Sequence, residues 1–92
     1  MKPSELLSRP GAWCQGCFAK TSDGSHVWSI NPDAVQWCLT GAVNRCIPTT
    51  AKRESALSKL KHKARRKRMV DWNDAPGRTQ AEVVALLQSV GL

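Results

Sequence analysis

The chain has 92 residues, a length that suits one domain, and 41% of them are hydrophobic, including four tryptophans. This composition argues against full disorder, because disordered chains lack the apolar surface for a core, and the formal net charge of +7 favours acidic partners. No apolar run approaches the about 18 residues of a membrane-spanning helix, and the N-terminus has no apolar stretch of signal-peptide length. We therefore expect a single cytoplasmic domain, residues 1–92, with no membrane partner.

The first third of the chain predicts one short helix and then a non-helical region. Residues 4–9 favour a helix that Pro10–Gly11 ends. Asp23–Gly24 is a typical tight-turn pair with apolar residues on both sides, so we expect a short β-hairpin near residues 17–30. Because Trp28 lies beside this turn, we expect it to be the most exposed tryptophan.

The strongest helical pattern runs from about Pro32 to Cys46. Asn31 can cap the helix and Pro32 fits its first position. An apolar residue recurs every four positions, which is the spacing of one helix face. This stripe consists of Ala34, Cys38, Ala42 and Cys46. Pro48 ends the predicted helix.

Positive charge is concentrated in residues 52–68, which we call the basic segment. It holds nine of the fourteen basic side chains against one acidic residue, Glu54, for a net charge of +8, whereas the other 75 residues carry five basic and six acidic ones, or −1. We predict a helix over residues 51–68 that docks through Leu57, Leu60 and Ala64. No aromatic residue interleaves with the cations, which argues against base stacking within the segment. The candidate residues for binding nucleic acid or an acidic partner are Lys52, Arg53, Lys59, Lys61, Lys63, Arg65, Arg66, Lys67 and Arg68.

The C-terminal third predicts a turn and a final helix. Residues 71–78 contain Asn-Asp and Pro-Gly pairs that are typical of a structured turn. Thr79 and Glu82 form the pattern of a capping box, so a helix is expected to begin at Thr79. The predicted fold class is mainly α: a small single-domain helical bundle with a short β-hairpin.

The four cysteines leave two interpretations open. Cys14 and Cys17 have the spacing of half a zinc site, which Cys38 and Cys46 would have to complete. However, Cys38 and Cys46 lie in the apolar stripe, where free cysteine behaves as a small hydrophobe. We therefore expect reduced, buried thiols and no metal or other cofactor, with a zinc-stabilised adaptor as the alternative.

The sequence offers little for catalysis. Acidic, amide and basic side chains cluster at Asp71, Asn73, Asp74 and Arg78, and such a set can build a catalytic site. The same residue types also bond to nearby backbone in turns, which we consider the better explanation. No phosphate-binding loop or nucleophile–histidine arrangement accompanies them. We expect a protein that is not an enzyme.

Three segments carry distinctive motifs: Trp13–Gly16 (WCQG), Asp33–Ala42 (DAVQWCLTGA) and Trp72–Val83 (WNDAPGRTQAEV), together 26 of the 92 residues. They resemble a family of short bacterial and phage proteins of unknown function. The resemblance implies a compact fold and a bacterial or phage origin, in a bacterial or phage-infected cell. It implies no activity, cofactor or catalytic residue.

Two functional hypotheses follow from the basic segment. In the first, a non-enzymatic binding protein contacts nucleic acid or a nucleoprotein through phosphates, with little sequence readout. In the second, a phage-encoded inhibitor docks onto a host defence complex, for example a CRISPR ribonucleoprotein, and uses the same cations against guide RNA or an acidic protein surface.

Overall fold

In the computed structural model, which describes all 92 residues, five helices accompany a three-stranded sheet. The helices are α1 (Pro3–Leu7), α2 (Leu39–Cys46), α3 (Thr50–Ala64), α4 (Met69–Asn73) and α5 (Gln80–Ser89). The strands are β1 (Ala19–Thr21), β2 (His26–Val27) and β3 (Ala34–Trp37), antiparallel in the order β2-β1-β3. The mainly α fold class and the hairpin inside residues 17–30 are confirmed. No helix combines the length and the apolar character needed to cross a bilayer.

A single hydrophobic cluster of 13 buried residues joins all five helices to the sheet. Each helix contributes at least one residue, and the fully buried side chains include Leu7, Leu39, Leu60 and Leu87. Burying such side chains is the main favourable term in folding. The helices therefore owe their stability to this shared core, since most of them are too short to persist alone.

The predicted helix over residues 32–46 is wrong in its first half. Residues 34–37 form β3, because their backbone is hydrogen-bonded on both edges: to β1 on one side and to residues 12–14 on the other, where Trp37 N–H donates to Ala12 O at 2.8 Å. Helix α2 starts only after Cys38, whose Sγ accepts a hydrogen bond from Gly41 N–H at 3.2 Å. Asn31 caps a turn instead, with Oδ1 accepting from Asp33 N–H at 2.8 Å.

The predicted helix over residues 51–68 is four residues too long. Helix α3 ends at Ala64, and Arg65 adopts the left-handed conformation (φ 54°, ψ 45°) that reverses the chain. Two features explain why the helix ends at this point. Adjacent cations repel one another along a helix, and the chain has to turn for Met69, which is only 2% exposed, to lie in the core. The turn expected from residue 71 is partly helical, because α4 occupies Met69–Asn73.

The prediction for the last helix is confirmed. Thr79 is the N-cap of α5, its hydroxyl accepts from Glu82 N–H at 3.2 Å, and Glu82 Oε1 accepts from Thr79 N–H at 2.9 Å. These two bonds satisfy donors that a helix start leaves unpaired. The local capping pattern therefore marks where the helix begins, and Val83 and Leu87 then lie in the core.

Candidate nucleic-acid interface

The first half of the basic segment lies on α3. Thr49 caps this helix by accepting from Lys52 N–H at 3.4 Å, and Ala56 and Leu60 bury one face of it against the core. Lys52, Lys59 and Lys63 are seven and four residues apart, so they follow one line along the helix surface. All three are exposed. Helix α3 therefore presents a row of cations beside its buried face.

The second half of the basic segment turns back at the end of α3. Arg66 N–H donates to Lys61 O at 3.1 Å and Arg65 N–H donates to His62 O at 3.3 Å, which is the pattern of a Schellman motif. The reversal forms an open depression of about 600 Å³ at this helix end. Its lining residues are Ser58, Lys61, His62, Arg65, Arg66 and Lys67. We call this the basic depression; four of its six residues carry a permanent positive charge.

Arg53 has a different environment from the other cations. It is partly buried, and its guanidinium donates to Ile47 O through Nε and to Asn44 O through Nη2 at 3.0 Å. These carbonyls belong to the last turn of α2 and its C-cap, where backbone acceptors lack helical partners. Arg53 therefore joins α3 to the end of α2, and it is the one predicted binding residue that the structure does not bring to the open surface.

Little negative charge opposes the exposed cations. The one ion pair in the basic segment joins Arg68 Nε to Asp71 Oδ2 at 3.8 Å, and the two side chains are 71% and 68% exposed. Such a pair contributes little stability in water. Eight of the nine predicted residues thus lie exposed along α3 and the turn after it, with almost no compensating negative charge within the protein.

The four cysteines do not form a metal-ligand set. Cys46 lies at the end of α2 and Cys38 at its start, while the Cys14 thiol donates to Cys17 O at 3.9 Å. No group of three or more His, Cys, Asp or Glu side chains has the placement that a metal ion needs. Burial, and next the nearby Cys17, raise the pKa of Cys14 to about 12, and burial also raises the pKa of Cys38. The placement of these side chains therefore gives the zinc-site alternative no support.

An aromatic surface lies on the hairpin side of the molecule. Phe18 and Trp28 stack with ring centroids 6.5 Å apart and an angle of 18° between their planes. Trp28 is 74% exposed, which confirms the expectation for this residue. The two rings border an open depression of about 520 Å³ with Cys17, His26, Val27 and Asn31. Sequence reasoning identified the exposure of Trp28 but not this assembly, which we call the aromatic shelf.

A family of unknown function (DUF6197) matches residues 3–91 of the chain. The chain belongs to this family. No curated protein and no solved structure matches it. Membership in DUF6197 is consistent with the resemblance found in the sequence, and it assigns no activity, cofactor or partner.

In this member of DUF6197, the three segments that carry the resemblance meet around α4. Gly16 N–H donates to Asp74 Oδ1 at 3.1 Å, and Gln15 Nε2 donates to Asn73 O at 2.9 Å. Asn73 is completely buried and bonds through both ends of its amide. Arg78 stacks on the Trp72 ring, 3.9 Å from its centroid. Within the acid–amide–base cluster considered for catalysis, Asn73 and Asp74 therefore hold the first and third segments together, whereas Asp71 is exposed and pairs with Arg68.

Proposed function

We propose that this protein is a non-enzymatic binding protein whose basic segment contacts the phosphates of nucleic acid, free or in a nucleoprotein. One observation carries the proposal: eight exposed cations lie along α3 and on the turn that follows it, four of them around the basic depression, and the only ion pair among them is an exposed one. A polyanion that neutralises such a cluster releases its own counterions, which is the main source of affinity in phosphate recognition.

The basic depression supports a specific mode of contact. The guanidinium groups of Arg65 and Arg66 can each grip a phosphate through two parallel hydrogen bonds, while Lys61 and Lys67 act as point charges. The Ser58 hydroxyl adds a neutral donor at the same place. Contacts of this kind position a nucleic acid without reading its bases, so we expect weak sequence preference.

We also infer that the protein works in the cytoplasm of a bacterial or phage-infected cell. The four cysteines are free thiols, two of them buried, and free thiols suit a reducing compartment. Nucleic acid and ribonucleoproteins are abundant partners there.

The test compares two variants that lose the same charge at different places. Lys61, Arg65 and Arg66 become glutamine in one variant, and Lys2, Arg9 and Lys20, which lie outside the basic segment, become glutamine in the other. Binding to random-sequence duplex and single-stranded nucleic acid is measured by fluorescence anisotropy over a series of salt concentrations. Circular dichroism checks that both variants keep the fold.

We expect the first variant to bind more weakly and to flatten the dependence of log K on log salt. For duplex DNA, each phosphate that the variant no longer neutralises should lower the slope by about 0.9. The second variant should keep most of the affinity and the slope. An equal weakening in the two variants would mean that net charge alone attracts the polyanion. A wild-type chain that binds no nucleic acid at low salt would contradict the proposal altogether and would direct the search to acidic protein surfaces.

A further inference from the structure

The aromatic shelf is exposed although its backbone is firmly held. Ser29, the neighbour of Trp28, is only 5% exposed, and its carbonyl accepts from the Trp37 indole N–H at 3.0 Å and from Arg45 at 3.3 Å. Asn31 N–H closes the turn by donating to Trp28 O at 3.0 Å. The turn thus holds Trp28 in an outward position, where it stacks on Phe18 but leaves most of its surface exposed to water.

The size and chemistry of the shelf suit a flat aromatic ligand. A depression of about 520 Å³ is in the range of small-ligand sites. The rings of Phe18 and Trp28 supply apolar faces, and His26 supplies polar ring nitrogens at the border. Asn31 directs Oδ1 to Asp33 N–H, so its Nδ2 group is left to donate to a ligand. Apolar faces with a few polar groups at the edge are the features that recognise a nucleobase.

A small cleft lies between the shelf and the residues that follow the basic segment. Cys17 and Phe18 border both the shelf and a smaller cleft of about 160 Å³, which Val70 and the acidic Asp74 also line. Val70 is two residues after Arg68, so their Cα atoms are at most about 7 Å apart. A strand whose phosphates leave the basic segment at Arg68 can therefore extend along this cleft toward Phe18.

We propose that the aromatic shelf stacks an unpaired base of a single-stranded nucleic acid whose phosphates lie on the basic segment. This inference rests on the function proposed above and narrows it, because a base inside a duplex is already stacked and cannot reach the shelf. The aromatic groups come from the hairpin and not from the cationic run, which is why no interleaving of aromatic and basic residues is visible in the sequence.

The experiment measures the affinity for single-stranded RNA and DNA oligonucleotides and for duplexes of the same length. Trp28→Leu removes the main stacking face, and Trp28→Phe keeps an aromatic ring. Ile30→Ser is the matched control, because Ile30 is 68% exposed in the same turn but does not line the depression. Tryptophan fluorescence is recorded in parallel, since a base stacked on an indole quenches its emission.

We expect Trp28→Leu to raise the Kd for single strands at least about fivefold and to leave the duplex affinity unchanged. Trp28→Phe should keep most of the wild-type affinity, and Ile30→Ser should behave as the wild type. Single strands, but not duplexes, should quench the wild-type fluorescence, and Trp28→Leu should remove most of that quenching.

Different failures have different meanings. If Trp28→Leu affects single strands and duplexes equally, or neither of them, the stacking inference is overturned while phosphate binding by the basic segment stands. If the wild-type chain binds neither kind of nucleic acid at low salt, this inference and the proposed function fail together.

Discussion

The indole N–H of Trp13 donates a 2.7 Å hydrogen bond to Oδ1 of Asn73, sixty residues further along the chain. The same oxygen accepts from the backbone N–H of Leu39, at 3.0 Å. On the other side of the amide, Nδ2 donates to Cys14 O at 3.2 Å and to Asp74 Oδ1 at 2.9 Å. One buried side chain therefore links the N-terminal segment, the start of α2 and the end of α4.

Replacing Asn73 with alanine should destabilise the protein severely. The substitution leaves the Trp13 indole N–H and the Leu39 N–H without their acceptor, and each buried donor left unpaired costs about 1–3 kcal/mol. We expect the free energy of unfolding, measured by urea denaturation, to fall by about 2–5 kcal/mol. Gln15→Ala is the control, because its side chain bonds to the same region from a more exposed position and should cost about 1 kcal/mol. A similar destabilisation in both variants would contradict the central role of Asn73.

The capping box of α5 should give stability that depends on pH. The hydrogen bond from Thr79 N–H, more than the nearby Arg78, lowers the pKa of Glu82 below its ordinary value. A carboxyl group whose folded pKa is lowered stabilises the protein above its unfolded pKa, and this stabilisation disappears as the pH falls through the folded pKa. We expect Glu82→Gln to lower Tm at neutral pH and to match the wild type in acid. A difference in Tm that stays constant from neutral to acidic pH would rule out this linkage.

Gly41 should not tolerate alanine, although it lies inside a helix. A Cβ atom built there overlaps the carbonyl oxygen of Phe18 and lies 2.9 Å from the carbonyl carbon. That carbonyl also accepts from Cys38 N–H at 3.1 Å, so moving it breaks a buried hydrogen bond. We expect Gly41→Ala to lower the free energy of unfolding by about 3 kcal/mol. If there were free space at this position, alanine would instead stabilise the helix by about 1 kcal/mol. A gain in stability would therefore contradict the close contact between Gly41 and the Phe18 carbonyl.

The sequence predicts those elements that local residues determine. Helix α5 begins where Thr79 and Glu82 can bond to each other's backbone, and the hairpin turns where Asp23 Oδ1 can accept from Ser25 N–H. Strand β3 is different, because the pattern from Ala34 to Trp37 fits a helix face as well as a strand. Its conformation is decided by pairing with β1, about fifteen residues earlier, and no local pattern contains that information.

The candidate sites likewise depend partly on the local sequence and partly on contacts between residues that are distant in the chain. The positions of the cations are visible in the sequence, but the role of Arg53 depends on carbonyl groups at the end of α2. The aromatic shelf needs Phe18 and Trp28 to meet across the hairpin, and Ser29 to be anchored by Trp37 and Arg45. These interactions form only when the tertiary structure assembles, so composition and periodicity could not predict the shelf.

Arg65 combines a backbone cost with an exposed charge, and the two can be separated by substitution. Its φ of 54° lies in the left-handed region, which glycine adopts more easily than any residue with a Cβ atom. Arg65→Gly should therefore raise the free energy of unfolding by about 1 kcal/mol and Tm by about 5 °C. The same change removes one cation that neutralises a phosphate, so the affinity for nucleic acid should fall and its salt slope should decrease by about 0.9.

The neighbouring variant Arg66→Gly tests whether strain or charge is responsible. This variant removes an equal charge from the basic depression. Because Arg66 has no positive φ, the glycine relieves no backbone strain. It only increases the conformational entropy of the unfolded chain, which lowers stability. We expect both variants to bind nucleic acid more weakly, but only Arg65→Gly to unfold at a higher temperature. If both variants gain stability equally, charge repulsion at the helix end, and not the conformation of Arg65, limits the stability of the protein there.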